Sequence, residues 1–229
     1  MVGTLALFDA TGERQHTLYV AATPEYGKQT FLARLERELQ RVKAAYPQAT
    51  YMGLADGAES NWRFLTPRTT KPLIDFYHAS GYLQAAAEAA FPKAHDKVSR
   101  HQWLQDRCHQ LKHVPGAAKT LLEEMKALPT AELNTSQHEQ LQSAITYFVH
   151  HHPQMDYATA LGNRWPIGSG VTEAACKTLV KQRLCRSGMR WKEKGAAVVL
   201  SLRALLLTPD RWRQFWDKLD RFGFPVAAS

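Results

Sequence analysis

The sequence predicts an α/β fold in which a small sheet region is followed by a long all-helical block and then by further helices. Two short β-prone runs, Gly3–Phe8 and Gln15–Ala21, flank turn residues and indicate a hairpin. From Ser80 to about Ala160 the apolar residues follow helical spacing, and no strand-like run returns. With 229 residues the chain is long enough to bury a sizeable core.

The remaining elements follow from local pattern and breakers. A helix is expected from Thr30 until Pro47 closes it, because Phe31, Leu35 and Leu39 recur at four-residue spacing. After it we predict, in order, a short strand at Thr50–Ala55, a brief helical stretch at Asn61–Phe64, a strand at Lys71–His78, the helical block, a stiff turn at Arg164–Gly170, a helix from Val171 to about Arg186, a helix at Glu193–Leu207 and an amphipathic tail at Pro209–Phe224.

These elements suggest three segments. Residues 1–80 form the sheet segment, residues 81–163 form a helical insertion, and residues 164–229 form C-terminal helices that return to the first segment. A long all-helical block after a small α/β sheet is more typical of an insertion than of a linker.

Composition favours a cytoplasmic protein with a polyanionic partner. The formal net charge is +8. Seven Lys or Arg residues and one acid lie between Lys177 and Lys194, which we call the basic segment. Basic side chains that neutralise phosphates release counterions, so such a segment suits nucleic acid. The three cysteines form no CxxC pair, which is typical of a reducing compartment, and no apolar run is long enough for a membrane span.

Asp56 is the first candidate catalytic residue. It follows a buried-looking strand and precedes Gly57, which allows a sharp turn that exposes the carboxylate at the end of the strand. Catalytic groups of α/β folds are commonly found at such strand ends. The alternative is that Asp56-Gly57 is simply a turn after a strand.

Glu173 is the second candidate. It lies in the first turn of the helix that Gly168-Ser169-Gly170 opens, and Lys177 and Lys181 follow it at four-residue spacing on one helical face. A metal-binding carboxylate beside phosphate-binding lysines accounts for this pattern. A favourable acid at a helix N-terminus with an exposed Glu–Lys pair also accounts for it.

The two acids make chemical sense together. Cleavage and transfer of a phosphodiester strand require activation of water or a hydroxyl, which two divalent ions roughly 3.5–4 Å apart can supply. Mg²⁺ prefers carboxylate oxygens, so three acids from different segments suffice for such a site. Asp56 and Glu173 supply two of the three, and a third is missing.

Specific sequence blocks resemble the Kra-type insertion-sequence transposases, which are DDE enzymes. The blocks are Asp56-Gly57 after an apolar strand, Asp75-Phe76-Tyr77-His78, Trp165-Pro166-Ile167-Gly168-Ser169-Gly170 with Glu173, and Ser187-Gly188-Met189-Arg190-Trp191. The resemblance extends over essentially the whole chain. It implies a ribonuclease-H-like catalytic core whose sheet is incomplete, with a large helical insertion before the helix that bears the last acid.

The resemblance also implies roles for individual residues. Asp56 corresponds to the second catalytic acid and Glu173 to the third, and together they would hold Mg²⁺ or Mn²⁺, two ions in a complete site. Asp75 and His78 would lie near the active site in support, although a strand-end histidine that satisfies a backbone group is an equal alternative for His78. DNA is the implied partner, with a homodimer in the complete enzyme; the residues expected to bind DNA are Lys177, Lys181, Arg183, Arg186, Arg190 and Trp191, the last by base stacking.

The first acid of the family lies upstream of the segment that resembles Met1–Thr4. Asp9 could be proposed in its place, but Asp9–Glu13 is better explained as a hairpin turn. We therefore expect an N-terminally truncated transposase with little or no transposition activity by itself. Two alternatives stay open, namely a ribonuclease-H-like nuclease that does not transfer strands and a DNA-binding remnant that does not cut.

Overall fold

The structure is a computed structural model that describes residues 1–23, 27–93, 96–185 and 187–224. It is a mixed α/β fold with mostly helical content and a small β part. By compactness the chain forms two units, unit 1 with Met1–Ala49 and Gly170–Ser229, and unit 2 with Thr50–Ser169. The division at residues 80 and 163 follows from the order of the predicted elements and stays a prediction.

Unit 1 contains a hairpin and six helices or helical turns among the described residues. The hairpin is confirmed, with strand β1 at Val2–Phe8 and strand β2 at Arg14–Ala21 in antiparallel register. Asp9 closes its turn, because Asp9 Oδ1 accepts hydrogen bonds from the amides of Thr11 at 2.8 Å and Glu13 at 3.0 Å. The helical elements of unit 1 are α1 (Gly27–Ala45), α8 (Gly170–Ala175), a π turn (Cys176–Lys181), α9 (Gln182–Leu184), α10 (Glu193–Leu207) and α11 (Arg211–Phe222).

The two faces of the hairpin are covered by different helices, as alternation along a strand requires. Leu18, Val20 and Ala22 pack with Phe31 of α1 on one face. On the other face Ala21 packs with Ala175 and Leu179 and with two residues of α10, Leu200 and Ala204. The hairpin therefore forms the middle layer of unit 1.

Unit 2 contains a parallel strand pair with helices around it. Strand β3 (Met52–Ala55) pairs with strand β4 (Lys71–Ile74), so both strands end at the same edge. Its helices are α2 (Glu59–Leu65), α3 (Phe76–Ala90), α4 (Lys97–His113), α5 (Ala117–Lys126), α6 (Thr135–His151) and α7 (Tyr157–Gly162), with a 3-10 turn at His152–Gln154.

The core of unit 2 lies among these helices and the second strand. Ile74 of β4, Leu83 of α3 and Phe148 of α6 are fully buried in one cluster. Burial of a side chain of this size contributes roughly 2 kcal/mol to stability. Ala79 and Ala86 of α3 are also fully buried, and such small side chains allow neighbouring helices to approach closely. Helices α3 to α7 confirm the predicted helical block.

The predicted strand at Lys71–His78 is wrong in its second half. The strand ends at Ile74, and Phe76, Tyr77 and His78 form the first turn of α3. The reason is the side chain of Asp75, which accepts hydrogen bonds from the amides of Tyr77 and His78 and so caps the helix.

The predicted single helix from Val171 to Arg186 is also corrected. The π turn at Cys176–Lys181 interrupts it, and Arg186 lies outside the described residues. Within the described residues the strands form two separate two-stranded sheets, so the single ribonuclease-H-like sheet stays a proposal. None of the described helices is both long and apolar enough to cross a bilayer.

Candidate active site and nucleic-acid surface

Asp56 follows β3 directly and is partly exposed at the carboxyl edge of the parallel pair, as the sequence predicts. Its Oδ1 accepts hydrogen bonds from the Ala58 amide at 3.1 Å and from Asn61 Nδ2 at 2.9 Å. Its main-chain oxygen accepts from Trp62 Nε1 at 2.7 Å. These contacts fix the turn, and within the described residues Oδ2 makes no hydrogen bond, so this oxygen is available to a ligand.

Gly57 is required because side chains from α6 lie directly against its backbone. A Cβ atom at this position would lie 2.5 Å from Tyr147 Cε2 and 2.9 Å from His151 Nε2. The Tyr147 ring stacks on Tyr82 of α3, with 3.8 Å between the ring centroids. We call Asp56, Asp75, Tyr82, Tyr147 and His151 the carboxylate edge of unit 2.

Burial shifts the pKa of two members of this edge, Tyr147 and His151, towards the uncharged form. The pKa of Tyr147 is raised, chiefly by burial and further by Tyr82 and the carboxylates of Asp56 and Asp75, while the Gly57 backbone offsets part of the rise. Within the described residues its hydroxyl makes no hydrogen bond of regular geometry. Burial also lowers the pKa of His151, which favours the neutral imidazole.

Asp75 is completely buried, and its carboxylate is occupied by protein donors. Oδ1 accepts from the amides of Tyr77 at 2.7 Å and His78 at 3.0 Å, and Oδ2 accepts from the Ser169 amide. Burial alone would raise the pKa of Asp75, but hydrogen bonds from Ser169, His78 and Tyr77 together lower it below the usual range. Asp75 is therefore an anchor for main-chain segments, and support of an active site by this residue would be indirect.

Two sequence blocks that are far apart in the chain meet at this anchor. The Phe76 amide donates to the Ile167 carbonyl at 2.9 Å. A Cβ atom at Gly168 would lie 2.7 Å from Tyr77 Cε2, so only glycine fits against this ring without a shift. The segment 166–169 thus lies on the first turn of α3, and Ser169 leads directly to Gly170, the first residue of α8.

His78 lies in the first turn of α3 with an exposed side chain, and its amide donates to Asp75. The alternative role as a strand-end histidine is wrong, because the residue is helical. A role in contacting DNA or a carboxylate stays a hypothesis.

Glu173 lies in the first turn of α8 and is exposed. The preceding residue is fixed to the hairpin, because the hydroxyl oxygens of Thr172 and Thr4 are 2.7 Å apart. Asp56 belongs to unit 2, whereas Glu173 belongs to unit 1. The structure brings Asp56 and Asp75 together at adjacent strand ends, since the Asp75 amide donates to the Ala55 carbonyl at 2.8 Å.

The π turn changes the predicted ridge of Glu173, Lys177 and Lys181. A π turn bonds residues five apart, so side chains four apart inside it do not superpose as they do on an α-helix. Two contacts accompany it. Thr178 Oγ1 donates to the Ala174 carbonyl at 2.9 Å, and Arg203 Nη2 donates to the Thr178 carbonyl at 2.5 Å.

The remaining predicted DNA-binding residues in the described part of the chain are exposed. Lys177, Lys181, Arg183 and Arg190 all point positive charge towards solvent, and Trp191 is 44% exposed. Burial lowers the pKa of Arg203, and the nearby charge of Arg183 lowers it further. Arg203 of α10 thus adds a like charge beside the basic segment, which favours an anionic partner. Arg186 lies outside the described residues.

Sequence reasoning missed the contribution of the helical block to the carboxylate edge. Tyr147 and His151 lie about ninety positions after Asp56, and their spacing on α6 is typical of any packed helix. Only the required glycine at position 57 gave a local signal of a close approach.

Within the described part of the chain, no group of three or more His, Cys, Asp or Glu side chains is arranged so that it could hold a metal ion. Taken singly, Asp56 has one carboxylate oxygen, Oδ2, that a metal ion could bind, whereas both carboxylate oxygens of Asp75 already accept hydrogen bonds from the protein. Comparison of the chain with models of protein families, with curated proteins and with solved structures gave no match.

Proposed function

We propose that the chain takes part in DNA transposition, as a DDE-type transposase of the Kra-type insertion-sequence kind with a ribonuclease-H-like core. The observation that carries the proposal is the contact between two of the blocks on which the resemblance rests. The segments 75–78 and 166–169 pack on each other through Asp75, next to the strand end that bears Asp56. A chance likeness of short motifs gives no reason for them to meet beside a partly exposed carboxylate.

In this proposal Asp56 and Glu173 are the metal-binding acids, and the reaction is cleavage and transfer of DNA strands at insertion-sequence ends. Mg²⁺ or Mn²⁺, two ions in a complete site, would activate the attacking hydroxyl and stabilise the leaving oxygen. Asp56 offers Oδ2, while the contacts of Oδ1 hold the side chain in place. Asp75 orients the segment that leads into α8, the helix that carries Glu173.

The basic segment serves as the DNA surface in this proposal. Lys177, Lys181, Arg183 and Arg190 would neutralise backbone phosphates, and Trp191 would stack on an unpaired base. Two copies of the chain would act together, one at each transposon end, in the cytoplasm.

A second candidate is DNA binding without cleavage. The exposed basic segment favours it, because phosphate contacts alone give affinity without requiring an active site. Both candidates predict salt-dependent binding to DNA. They differ in whether the two acids bind a divalent ion.

The test is to titrate the full chain, Asp56→Asn and Glu173→Gln with Mn²⁺. The electron paramagnetic resonance signal of free Mn²⁺ reports how much of the ion is bound. Transposase chemistry predicts that each variant binds Mn²⁺ at least several-fold more weakly. The control is Asp106→Asn, which removes an exposed carboxylate on α4 whose only hydrogen-bond donor among the described residues is Gln102 of the same helix. Equal Mn²⁺ affinity in all four proteins would favour DNA binding without catalysis.

A further inference from the structure

A cleft of about 210 Å³ lies wholly within unit 1, and none of the candidate catalytic or DNA-binding residues lines it. Strand β2, helix α1, the second half of α10 and the start of α11 form its walls. Apolar side chains such as Leu18, Val20 and Leu205 line it together with three arginines, Arg34, Arg37 and Arg211. This volume is smaller than the usual site for a drug-sized ligand and suits a small group.

One of the three arginines is held in place by an acid. Arg211 forms an ion pair with Glu38, and the two side chains are only 29% and 18% exposed. Glu38 also accepts a hydrogen bond from Arg41 at 3.0 Å. The single carboxylate of the cleft is therefore shared between two guanidinium groups.

The other two arginines leave the cleft with an excess of positive charge. Arg34 and Arg37 lie one turn apart on α1, and no ion pair with a described residue neutralises either of them. Three guanidinium groups against one carboxylate give the lining a formal charge of +2, by the residues that line it. A concave wall of one sign attracts counter-ions.

The edge of β2 in the cleft is closed to strand addition at Tyr19. The Tyr19 amide donates to Thr208 Oγ1 at 3.1 Å, and that hydroxyl donates to the Ala204 carbonyl at 2.8 Å. Both groups are thus already used within the protein. Recognition in the cleft depends on the guanidinium groups, so an anion is a better ligand than an extended peptide.

We propose that this cleft is a binding site for a phosphate group, with Arg34 and Arg37 as its ligands and Arg211 as a third, fixed cation. The planar fork of arginine matches two phosphate oxygens at once, which a halide cannot offer, and the further phosphate oxygens, which a carboxylate lacks, can accept from a second guanidinium group. The phosphate could belong to a DNA backbone or to a free phosphorylated molecule. The site goes beyond the proposed transposition chemistry, since it uses none of the acids or the basic segment.

The experiment is isothermal titration of the full chain with inorganic pyrophosphate and, separately, anisotropy of a labelled duplex oligonucleotide. The variant Arg34→Gln/Arg37→Gln is compared with Lys97→Gln/Lys119→Gln, which removes the same two charges at exposed positions of unit 2. We expect saturable pyrophosphate binding that the arginine variant weakens about tenfold or more, because the variant loses hydrogen bonds from two charged donors to the phosphate. The lysine variant should bind pyrophosphate like the wild type.

The oligonucleotide arm separates the two sources. If the arginine variant also weakens DNA binding and pyrophosphate competes with DNA, the cleft holds a backbone phosphate. If only pyrophosphate binding falls, the cleft serves a free phosphorylated ligand. Glu38→Gln should tighten pyrophosphate binding, a gain that loss of folding cannot produce. Absence of saturable binding, or equal affinity in the arginine and lysine variants, would overturn the proposal without touching the assignment of Asp56 and Glu173.

Discussion

The carboxylate edge of unit 2 and the basic segment of unit 1 are built in opposite ways. At the edge each side chain is fixed by its neighbours. Asp75 accepts from three amides, and Gly57 lies within contact distance of Tyr147 and His151. In the basic segment the described Lys and Arg side chains are exposed. Substitutions at Asp75 and Gly57 should therefore change stability, whereas substitutions in the segment should change DNA binding.

The largest expected effect is at Asp75. Replacing it with Ala leaves the amides of Tyr77, His78 and Ser169 without the buried carboxylate that accepts from them, which should lower the free energy of unfolding by about 3 kcal/mol or more. The control is Asp156→Ala. Asp156 is also an N-cap but is exposed, and within the described ranges its side chain accepts from the Thr159 amide alone, so about 1 kcal/mol should be lost. Urea denaturation measures both. Equal losses would show that burial of the Asp75 network contributes nothing extra.

Gly57 comes next. The methyl group of Gly57→Ala would overlap Tyr147 and His151, and overpacking of this kind costs roughly 1–3 kcal/mol. The matched control is Gly81→Ala in α3, where nothing lies within 4 Å of a new Cβ and the helix should gain up to about 1 kcal/mol. A thermal melt distinguishes the opposite signs. If both variants melt like the wild type, Tyr147 and His151 leave room for a Cβ atom at position 57, and the explanation of Gly57 is wrong.

The stability contributed by Asp75 should depend on pH with a defined sign. Its folded pKa is lowered by hydrogen bonds, so its contribution is complete above the ordinary aspartate pKa of 3.8 and is lost as the pH falls further through the lowered value. The difference in unfolding free energy between wild type and Asp75→Asn should be constant from pH 7 to 5 and shrink below it. Urea titrations across this range measure it. A difference that grows on acidification would contradict the assignment.

The smallest effects on stability are expected in the basic segment. Lys177→Gln/Lys181→Gln should leave the melting temperature within about 1 °C, since both side chains are exposed. DNA affinity should fall, and the slope of log affinity against log salt should become shallower by about 2, because two phosphate contacts are lost. Lys97→Gln/Lys119→Gln is the control of equal charge. Equal slopes in both double variants would remove this segment from the DNA surface.

Sequence periodicity predicted the hairpin, α1 and the helical block because these depend on local patterns. It failed at Lys71–His78, where β-prone Phe76 and Tyr77 follow the strand but the cap formed by Asp75 starts a helix. It also failed at Cys176–Lys181, since a period of 3.6 residues contains no sign of a π turn. Asp56 was predictable from the strand and its glycine, while Tyr147 and His151 reach it only through tertiary packing.

The central claim is that Asp56 and Glu173 bind the same divalent ions. A double-mutant cycle of Mn²⁺ affinity with Asp56→Asn, Glu173→Gln and the double variant tests it most directly. Shared ions predict that the double variant is much less impaired than the sum of the single effects, with a coupling of about 1 kcal/mol or more. Single effects that add within about 0.5 kcal/mol would show two independent carboxylates and contradict the proposed active site.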